Sequence, residues 1–154
     1  MSSDTFPVYD SCGRTIQDGD IFYISLFEDC FAASAHSDGI FFSEGSFESG
    51  SQFTIETVDG FKYIKAVRYD GYIVVNEIGR EGCLDLVILS KELPEPENRL
   101  CIVQHERFKS IMHLKTADGS ESVELMLLKS SCGLFNLSSR HALFQFKRGN
   151  DGDL

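Results

Sequence analysis

The segment SQFTIETVDGFKYIKAV, residues 51–67, shows the pattern that decides the fold. In its first half, Phe53 and Ile55 alternate with polar residues, as expected for a β-strand with one buried face. Asp59-Gly60 then interrupts the alternation, and this pair favours the positive φ values of a tight turn. A second run of apolar residues follows the turn. The segment is therefore predicted to form a β-hairpin.

The same pattern returns in NRLCIVQHERFKSIMHL, residues 98–114. When the two segments are superposed without gaps, Phe53 meets Leu100 and Phe61 meets Phe108. Further matches lie in the first and last parts of the chain: Ile21, Tyr23 and Ile24 match Phe61, Tyr63 and Ile64, and Phe144 and Phe146 match Leu100 and Ile102. The chain therefore reads as three repeated units.

Each unit contains about four short strands and cannot bury its apolar face alone. We expect the units to close around one axis, so that six strands form a barrel and three hairpins cap it. This predicts an all-β fold, a β-trefoil of about twelve short strands. The predicted units are about 14–58, 59–106 and 107–148, in a single domain over 1–154 with a flexible tail over 149–154. A two-sheet sandwich would show the same alternation, so the repetition decides for the trefoil.

The net charge of −10 on 154 residues limits the possible partners. Nucleic acids and anionic membrane surfaces are disfavoured, because binding to phosphates needs a basic stripe. No apolar run is long enough for a membrane helix, so no membrane insertion is expected. The acidic charge favours a protein partner with a basic surface patch, and we expect a monomer and no cofactor.

The chain contains five cysteines and no CxxC pair. An odd number at wide spacing indicates free thiols rather than a disulfide framework, and hence a reducing compartment. The N-terminus MSSDTFPVYDS lacks the features of a secretory signal. We therefore expect a cytoplasmic protein, with release without a signal peptide as an alternative. The cysteines are Cys12, Cys30, Cys83, Cys101 and Cys132.

No sequence pattern indicates catalysis. Motifs for activated nucleophiles and for zinc proteases are absent from the chain. Cys101, His105 and His113 are a possible metal set, but their spacing matches no standard zinc site. Because His105 and His113 are predicted to lie on different strands, their side chains need not converge. We expect structural roles for these residues and no enzymatic activity.

Two acidic loops are the candidate binding regions. The first is SEGSFESGS, residues 43–51, and the second lies within KELPEPENR, residues 91–99. The acidic cluster that begins in the first loop would form part of a rim that recognises a basic partner surface, although a solvated face would have the same composition. The residues predicted to bind the partner are Glu44, Ser46, Phe47, Glu48, Glu95 and Glu97, and Glu56 and Asp59 extend the first acidic cluster.

Parts of the sequence resemble two groups of β-trefoil proteins. The segment DCFAASAHSDGIFF, residues 29–42, followed by Phe53-Thr-Ile-Glu56, resembles the repeating unit of fascin-like and fibroblast-growth-factor-like trefoils. The middle and C-terminal part, residues 84–154, is similar in spacing to interleukin-1 family cytokines. The second resemblance implies a ligand for a receptor, and the first implies an interaction module.

The N-terminal part resembles a third group. The run from Val8 to Ile16, followed by Phe22-Tyr23-Ile24, is similar to the opening signature of Kunitz-type trefoils and differs from it at Cys12 and Phe22. The resemblance implies an exposed reactive-site loop that often carries Arg or Lys. The corresponding loop here, SEGSFESGS, contains neither.

Three functions follow from these resemblances, and all of them are non-catalytic. The first hypothesis is a protein-protein interaction domain that acts as a cytokine-like receptor ligand, similar to the interleukin-1 family. The alternative is an intracellular scaffold module of the fascin type. The second alternative is a Kunitz-type protease inhibitor.

Overall fold

The structure is a computed structural model that describes residues 6–27, 31–36, 39–80, 83–88, 92–117, 119, 122–129, 132–138 and 142–149. Its strands are β1 (Tyr23–Leu26), β2 (Phe31–His36), β3 (Gly39–Glu44), β4 (Phe53–Val58), β5 (Phe61–Ala66), β6 (Gly71–Arg80), β7 (Cys83–Ile88), β8 (Leu100–Gln104), β9 (Met112–Thr116), β10 (Ser122–Lys129), β11 (Cys132–Ser138) and β12 (Phe144–Lys147). In this part of the chain the only helical segments are two short 3-10 turns, Phe47–Ser49 and Pro96–Asn98, and no helix is long enough to cross a membrane.

Six of the strands form a closed barrel. β1 pairs with β12, β12 with β9, β9 with β8, and β4 with β5, all antiparallel. A bridge between Phe22 and Phe53 joins the start of β1 to β4, and β5 lies against β8. Every barrel strand therefore has a neighbour on both sides, which removes open sheet edges.

Three hairpins cap the barrel. They are β2–β3, β6–β7 and β10–β11, and β11 also pairs with both β3 and β7. The hairpins therefore contact one another as well as the barrel. This is the predicted β-trefoil, with twelve strands in one sheet network.

Large apolar side chains fill the barrel at alternate strand positions. Phe53, Phe144 and Phe146 are completely buried. The ring of Phe22 stacks on that of Phe146, with 4.5 Å between the centroids. Truncating a phenylalanine in such a core to alanine typically costs about 3–5 kcal/mol. The alternation predicted for β4 and β12 is confirmed.

The repeat alignment is correct for the fourth strand of each unit and wrong for the strand that follows. Phe53, Leu100 and Phe144 occupy equivalent buried positions on β4, β8 and β12. In contrast, Phe61 begins β5, whereas its predicted counterpart Phe108 lies in the loop before β9 and is 56% exposed. The β4–β5 turn is a tight hairpin because Asp59 and Gly60 both have positive φ (52° and 85°), while the β8–β9 connection is longer.

A buried carboxylate joins the two ends of the described chain. Asp10 is completely buried and accepts hydrogen bonds from the backbone N–H groups of Cys12 and Arg14, each at 2.9 Å. Its second oxygen lies 3.1 Å from Nε of Arg14 and 2.8 Å from Nε of Arg148. The carboxylate therefore fixes the N-terminal turn and also holds the residue that follows β12.

Arg148 and the carboxylates of Asp10 and Asp20 stabilise one another's charged forms. Nη2 of Arg148 donates to the backbone oxygen of Thr15 at 2.8 Å and to Asp20 at 3.1 Å. Burial opposes the charge on Asp10, but hydrogen bonds and the neighbouring guanidinium groups lower the pKa of Asp10 below its usual 3.8. The backbone N–H of Gln17 is the main cause that lowers the pKa of Asp20. Burial opposes the charge on Arg148, but both carboxylates raise its pKa.

These lowered pKa values predict an acid-sensitive fold. A carboxyl whose folded pKa lies below its unfolded value contributes stability above that unfolded value and loses it as the pH falls through the folded pKa. We expect the substitution Asp10→Asn to reduce the free energy of unfolding at pH 7 by about 2–3 kcal/mol, because charged hydrogen bonds are lost. Urea titrations would measure this effect.

The same titrations between pH 7 and pH 2 provide a second readout. Wild type should lose stability below about pH 3.8 more steeply than Asp10→Asn, since the variant lacks the titrating group. The exposed carboxylate of Glu44 provides the control Glu44→Gln. Equal stability of Asp10→Asn and this control would contradict a structural role for Asp10.

Candidate protein-binding site

The turn between β5 and β6, residues 67–70, presents an arginine between two exposed apolar side chains. We call it the Arg68 turn. Arg68 is exposed, and Val67 and Tyr69 keep 37% and 44% of their surface accessible. Arginine and tyrosine are the residues that most often dominate binding energy in protein interfaces. The turn therefore has the composition of a binding anchor.

Backbone and side-chain contacts brace this turn. The N–H of Val67 donates to the backbone oxygen of Gln52 at 3.0 Å, and the N–H of Asp70 donates to that of Val67 at 3.3 Å. Nζ of Lys65 lies 2.8 Å from Oδ1 of Asp70. A turn held in this way loses little conformational freedom when it binds.

Side chains of β4, β5 and β6 next to the Arg68 turn contact one another on the outside of the barrel. Nζ of Lys65 lies 5.3 Å from the ring centroid of Tyr72, whose hydroxyl donates to Glu56. Burial first, and then the hydrogen bond and charge of Glu56, raise the pKa of Tyr72 to about 12. The hydrogen bond to Asp70 outweighs burial and raises the pKa of Lys65. Lys65 therefore contacts both Asp70 and Tyr72 at the base of the turn.

A groove of about 310 Å³ separates the Arg68 turn from the β3–β4 loop. Arg68 and Tyr69 form one wall, and Ser49 and Gly50 belong to the other. The remaining lining residues are Tyr23, Ser34, Ala35, Ser51 and Gln52. The arginine therefore stands beside a concave surface into which a partner loop could fit.

The β3–β4 loop contains four of the residues predicted to bind a partner. Glu44, Ser46 and Glu48 are exposed, and Phe47 is half-buried. The loop is not extended, because Phe47–Ser49 form a 3-10 turn in which the Ser46 hydroxyl accepts the N–H of Glu48. Ser46, Phe47 and Glu48 therefore lie on one short turn, just after Glu44 at the end of β3, and their role in binding stays a prediction.

Packing holds this loop against the barrel. The ring of Phe47 contacts that of Tyr23 edge to face at 5.5 Å, and Nζ of Lys147 lies 5.3 Å from the Phe47 centroid. At Gly50 the approach is closer still, since a Cβ atom there would lie 2.4 Å from the backbone oxygen of Ala33. This loop, which the Kunitz resemblance identifies as the reactive-site loop, therefore packs against neighbouring strands and carries no basic side chain.

The other predicted binding residues lie elsewhere. Glu95 and Glu97 are both exposed, at the start of and within the 3-10 turn Pro96–Asn98. Neither lines the groove beside Arg68, and Glu95 lines a different groove together with Asp59. The structure therefore separates the predicted acidic rim into two regions.

The histidines come closer together than the sequence predicted. His105 follows β8 and His113 lies on β9, and their rings stack with 5.8 Å between the centroids. Nδ1 of His105 accepts the N–H of Arg107 at 3.1 Å, so this histidine shapes the loop. In the described ranges, no group of three or more His, Cys, Asp or Glu could hold a metal ion. Of the cysteines predicted to be thiols, Cys12 and Cys101 form no disulfide bond in the described part of the chain.

Neither Arg68 nor Tyr69 was among the residues predicted from the sequence to bind a partner. The signal was present, because VRY directly precedes the Asp70-Gly71 turn pair and places a basic residue between two apolar ones. Val67 and Tyr69 differ from core residues because they are exposed on a loop. The apolar pattern of the strand continues into the turn, so the sequence does not reveal this exposure.

Comparisons with solved structures identify proteins that have a similar fold. The water-soluble chlorophyll protein from Brassica oleracea var. Botrytis is 12% identical, with a TM-score of 0.71 over 94% of this chain and 99% of that one. Trypsin inhibitor 1 from Senna obtusifolia is 11% identical, with a TM-score of 0.67 over 93% and 98%. A Kunitz-type cysteine protease inhibitor from potato is 15% identical, with a TM-score of 0.67 over 97% and 99%.

At these identities the similarity concerns the fold, which these proteins share over nearly their whole length. No model of a protein family matches the sequence, and no curated protein matches it. The Kunitz-like part of the resemblance is therefore supported at the level of the fold. The cytokine-like and fascin-like parts do not gain the same support from these structures.

The close packing at Gly50 leads to a prediction about the loop. We expect Gly50→Ala to reduce the free energy of unfolding by about 1–3 kcal/mol, because the added methyl group would overlap a backbone oxygen that cannot move away easily. Urea unfolding measures the loss. Gly149→Ala is the matched control, since its Cβ would meet the nearest atom at 3.7 Å. If both substitutions had the same small effect, the loop would not be packed against β2 as described.

Proposed function

We propose that the chain is a non-catalytic protein-binding trefoil that inhibits proteases by inserting Arg68 into an acidic specificity pocket. The observation that carries this proposal is the Arg68 turn, with its exposed arginine between Val67 and Tyr69 beside a groove. The fold supports it, because two of the similar structures are inhibitors of trypsin and of cysteine proteases.

The arginine suits a protease pocket for electrostatic and geometric reasons. Trypsin-like enzymes hold a carboxylate at the base of their specificity pocket, which selects for arginine or lysine. The hydrogen bonds of Val67 and the ion pair of Asp70 fix the backbone on both sides of Arg68. The adjacent groove could accept a loop at the rim of the enzyme, which would enlarge the contact.

The β3–β4 loop is a weaker candidate for the same task. It contains no Arg or Lys, and Phe47 and Gly50 hold it against the barrel. The proposed mode of inhibition therefore differs from the one that the Kunitz resemblance implied. The acidic residues of this loop would instead lie at the edge of the contact and affect which enzymes can approach.

The cytokine-like and scaffold hypotheses have less support. They rest on spacing and on short motifs that are structural in a trefoil, and one fold of this kind serves many functions. The inhibitor hypothesis has in addition an exposed basic side chain on a braced turn.

Inhibition assays test the proposal directly. The purified reduced protein would be assayed against serine proteases that cleave after Arg or Lys, serine proteases with apolar specificity pockets, and papain-like cysteine proteases. We expect inhibition of the first class, and a loss of about 30-fold or more in affinity for Arg68→Ala, the effect of removing a hot-spot residue.

A second exposed loop arginine supplies the control. Arg107 lies in the β8–β9 loop and is also exposed, so Arg107→Ala changes the net charge equally at another place. It should leave the inhibition constant unchanged within about twofold. Absence of inhibition at micromolar protein, or an equal loss in both variants, would overturn the proposal.

A further inference from the structure

A second groove lies on the outer face of β4 and β5, at the opposite end of β5 from the Arg68 turn. Its volume is about 220 Å³. It is formed by the β4–β5 turn, by the side chains at the start of β5 and by the loop before β8, and its lining residues are Val58, Asp59, Phe61, Tyr63, Leu93, Pro94, Glu95 and Pro96. We call it the acidic groove.

The groove combines an aromatic wall with two carboxylates. Phe61 is partly exposed and Tyr63 is 2% exposed, so Tyr63 closes the inner side of the groove. Asp59 and Glu95 are exposed, and they extend from different loops. Among the described residues, neither carboxylate forms an ion pair.

The chemistry of this lining selects for a cation. Aromatic faces attract guanidinium and ammonium groups, and carboxylates bind them through charged hydrogen bonds. Among the residues that the structure describes, no Lys, Arg or His lines the groove. A volume of 220 Å³ is below the usual range for drug-sized ligands, so it suits one side chain rather than a larger molecule.

The protein already places a guanidinium against the same aromatic ring. The guanidinium carbon of Arg99 lies 4.6 Å from the centroid of Phe61, and Nη1 of Arg99 donates to the backbone oxygen of Pro96 at 2.7 Å. Arg99 is 3% exposed and does not line the groove, so it lies behind the lining residue Phe61 and supports it. Its charge offsets one of the two carboxylates, but the net charge of −10 leaves the surrounding field attractive to cations.

We propose that the acidic groove binds an arginine or lysine side chain on a basic segment of a partner polypeptide. The cationic head lies between Asp59 and Glu95, and its alkyl part lies along Phe61 and Leu93. Charge complementarity identifies this occupant, because the charged side chains among the described lining residues, Asp59 and Glu95, are both acidic. The site does not depend on protease binding, since β5 separates it from Arg68 by roughly 17 Å of strand.

Nuclear magnetic resonance titrations test this site without any protease. The probe is N-acetyl-arginine methylamide, added to isotope-labelled protein at low ionic strength, and the matched probe is N-acetyl-citrulline methylamide, which has nearly the same shape and no charge. We expect saturable shifts of the amides of Asp59, Gly60, Phe61 and Glu95 with the arginine probe only.

Two exposed carboxylates provide matched variants. Glu95 lines the groove, whereas Glu97 is equally exposed on the same loop and does not line it. We expect Glu95→Gln to weaken binding of the arginine probe by about threefold to fivefold, the effect of one exposed charge pair, and Glu97→Gln to leave it unchanged.

The remaining outcomes are decisive against the proposal. Equal shifts with both probes, equal effects of both variants, or shifts away from the groove would overturn it. A parallel titration with choline tests the other cationic occupant. Shifts at the groove with choline and none with the arginine probe would assign it to a quaternary ammonium head group and also overturn the proposal.

Discussion

Closure of the barrel between β1 and β12 is the constraint on which the other elements depend. The two strands come from the first and last units, and they pair in register from Tyr23 opposite Lys147 to Leu26 opposite Phe144. Inside the barrel the same junction contains the stacked rings of Phe22 and Phe146. Outside it, the buried carboxylate of Asp10 holds Arg148. These contacts join residues at opposite ends of the described chain, so they must offset a large loop-closure entropy.

A closed barrel leaves its outer strand faces available for other contacts, and β5 illustrates this. Ile64 and Ala66 are buried in the main core, whereas Phe61 and Tyr63 belong to the separate outer cluster. The strand therefore connects two surfaces of different charge. Arg68 stands at one end, and the groove with Asp59 and Glu95 lies at the other. Such opposite charges at fixed separation would orient a partner as well as attract it.

The sequence predicted those features that depend on strand periodicity. Phe53 and Ile55 were recognised as core residues because every second side chain faces the same way. The repeat led to the trefoil, because equivalent barrel strands bury equivalent positions. It failed at Phe108, where a longer connection displaces the following strand. A gapless comparison cannot detect a change in loop length. The sequence alone also does not show whether a phenylalanine is exposed or buried.

The candidate sites were less accessible to sequence reasoning because they are assembled from loops of different strands. Glu95 was predicted to bind a partner from its acidic surroundings, but its neighbour in the groove, Asp59, lies on a different loop, the β4–β5 turn. The stacking of His105 and His113 likewise depends on how β8 and β9 are paired. Arg68 was overlooked because nothing in a short apolar run distinguishes a braced, exposed turn from the end of a strand.

The junction around Asp10 also bears on how the chain is connected. The N–H of Ser11 donates to the backbone oxygen of Phe146 at 2.8 Å, so the first and last described segments are in direct contact. A short linker could therefore join them, and the exposed β8–β9 loop around Phe108 would be a suitable place to open the chain. In such a circular permutant the first strand would come from the third unit. The order in which the units are synthesised would change, while the barrel they close would not.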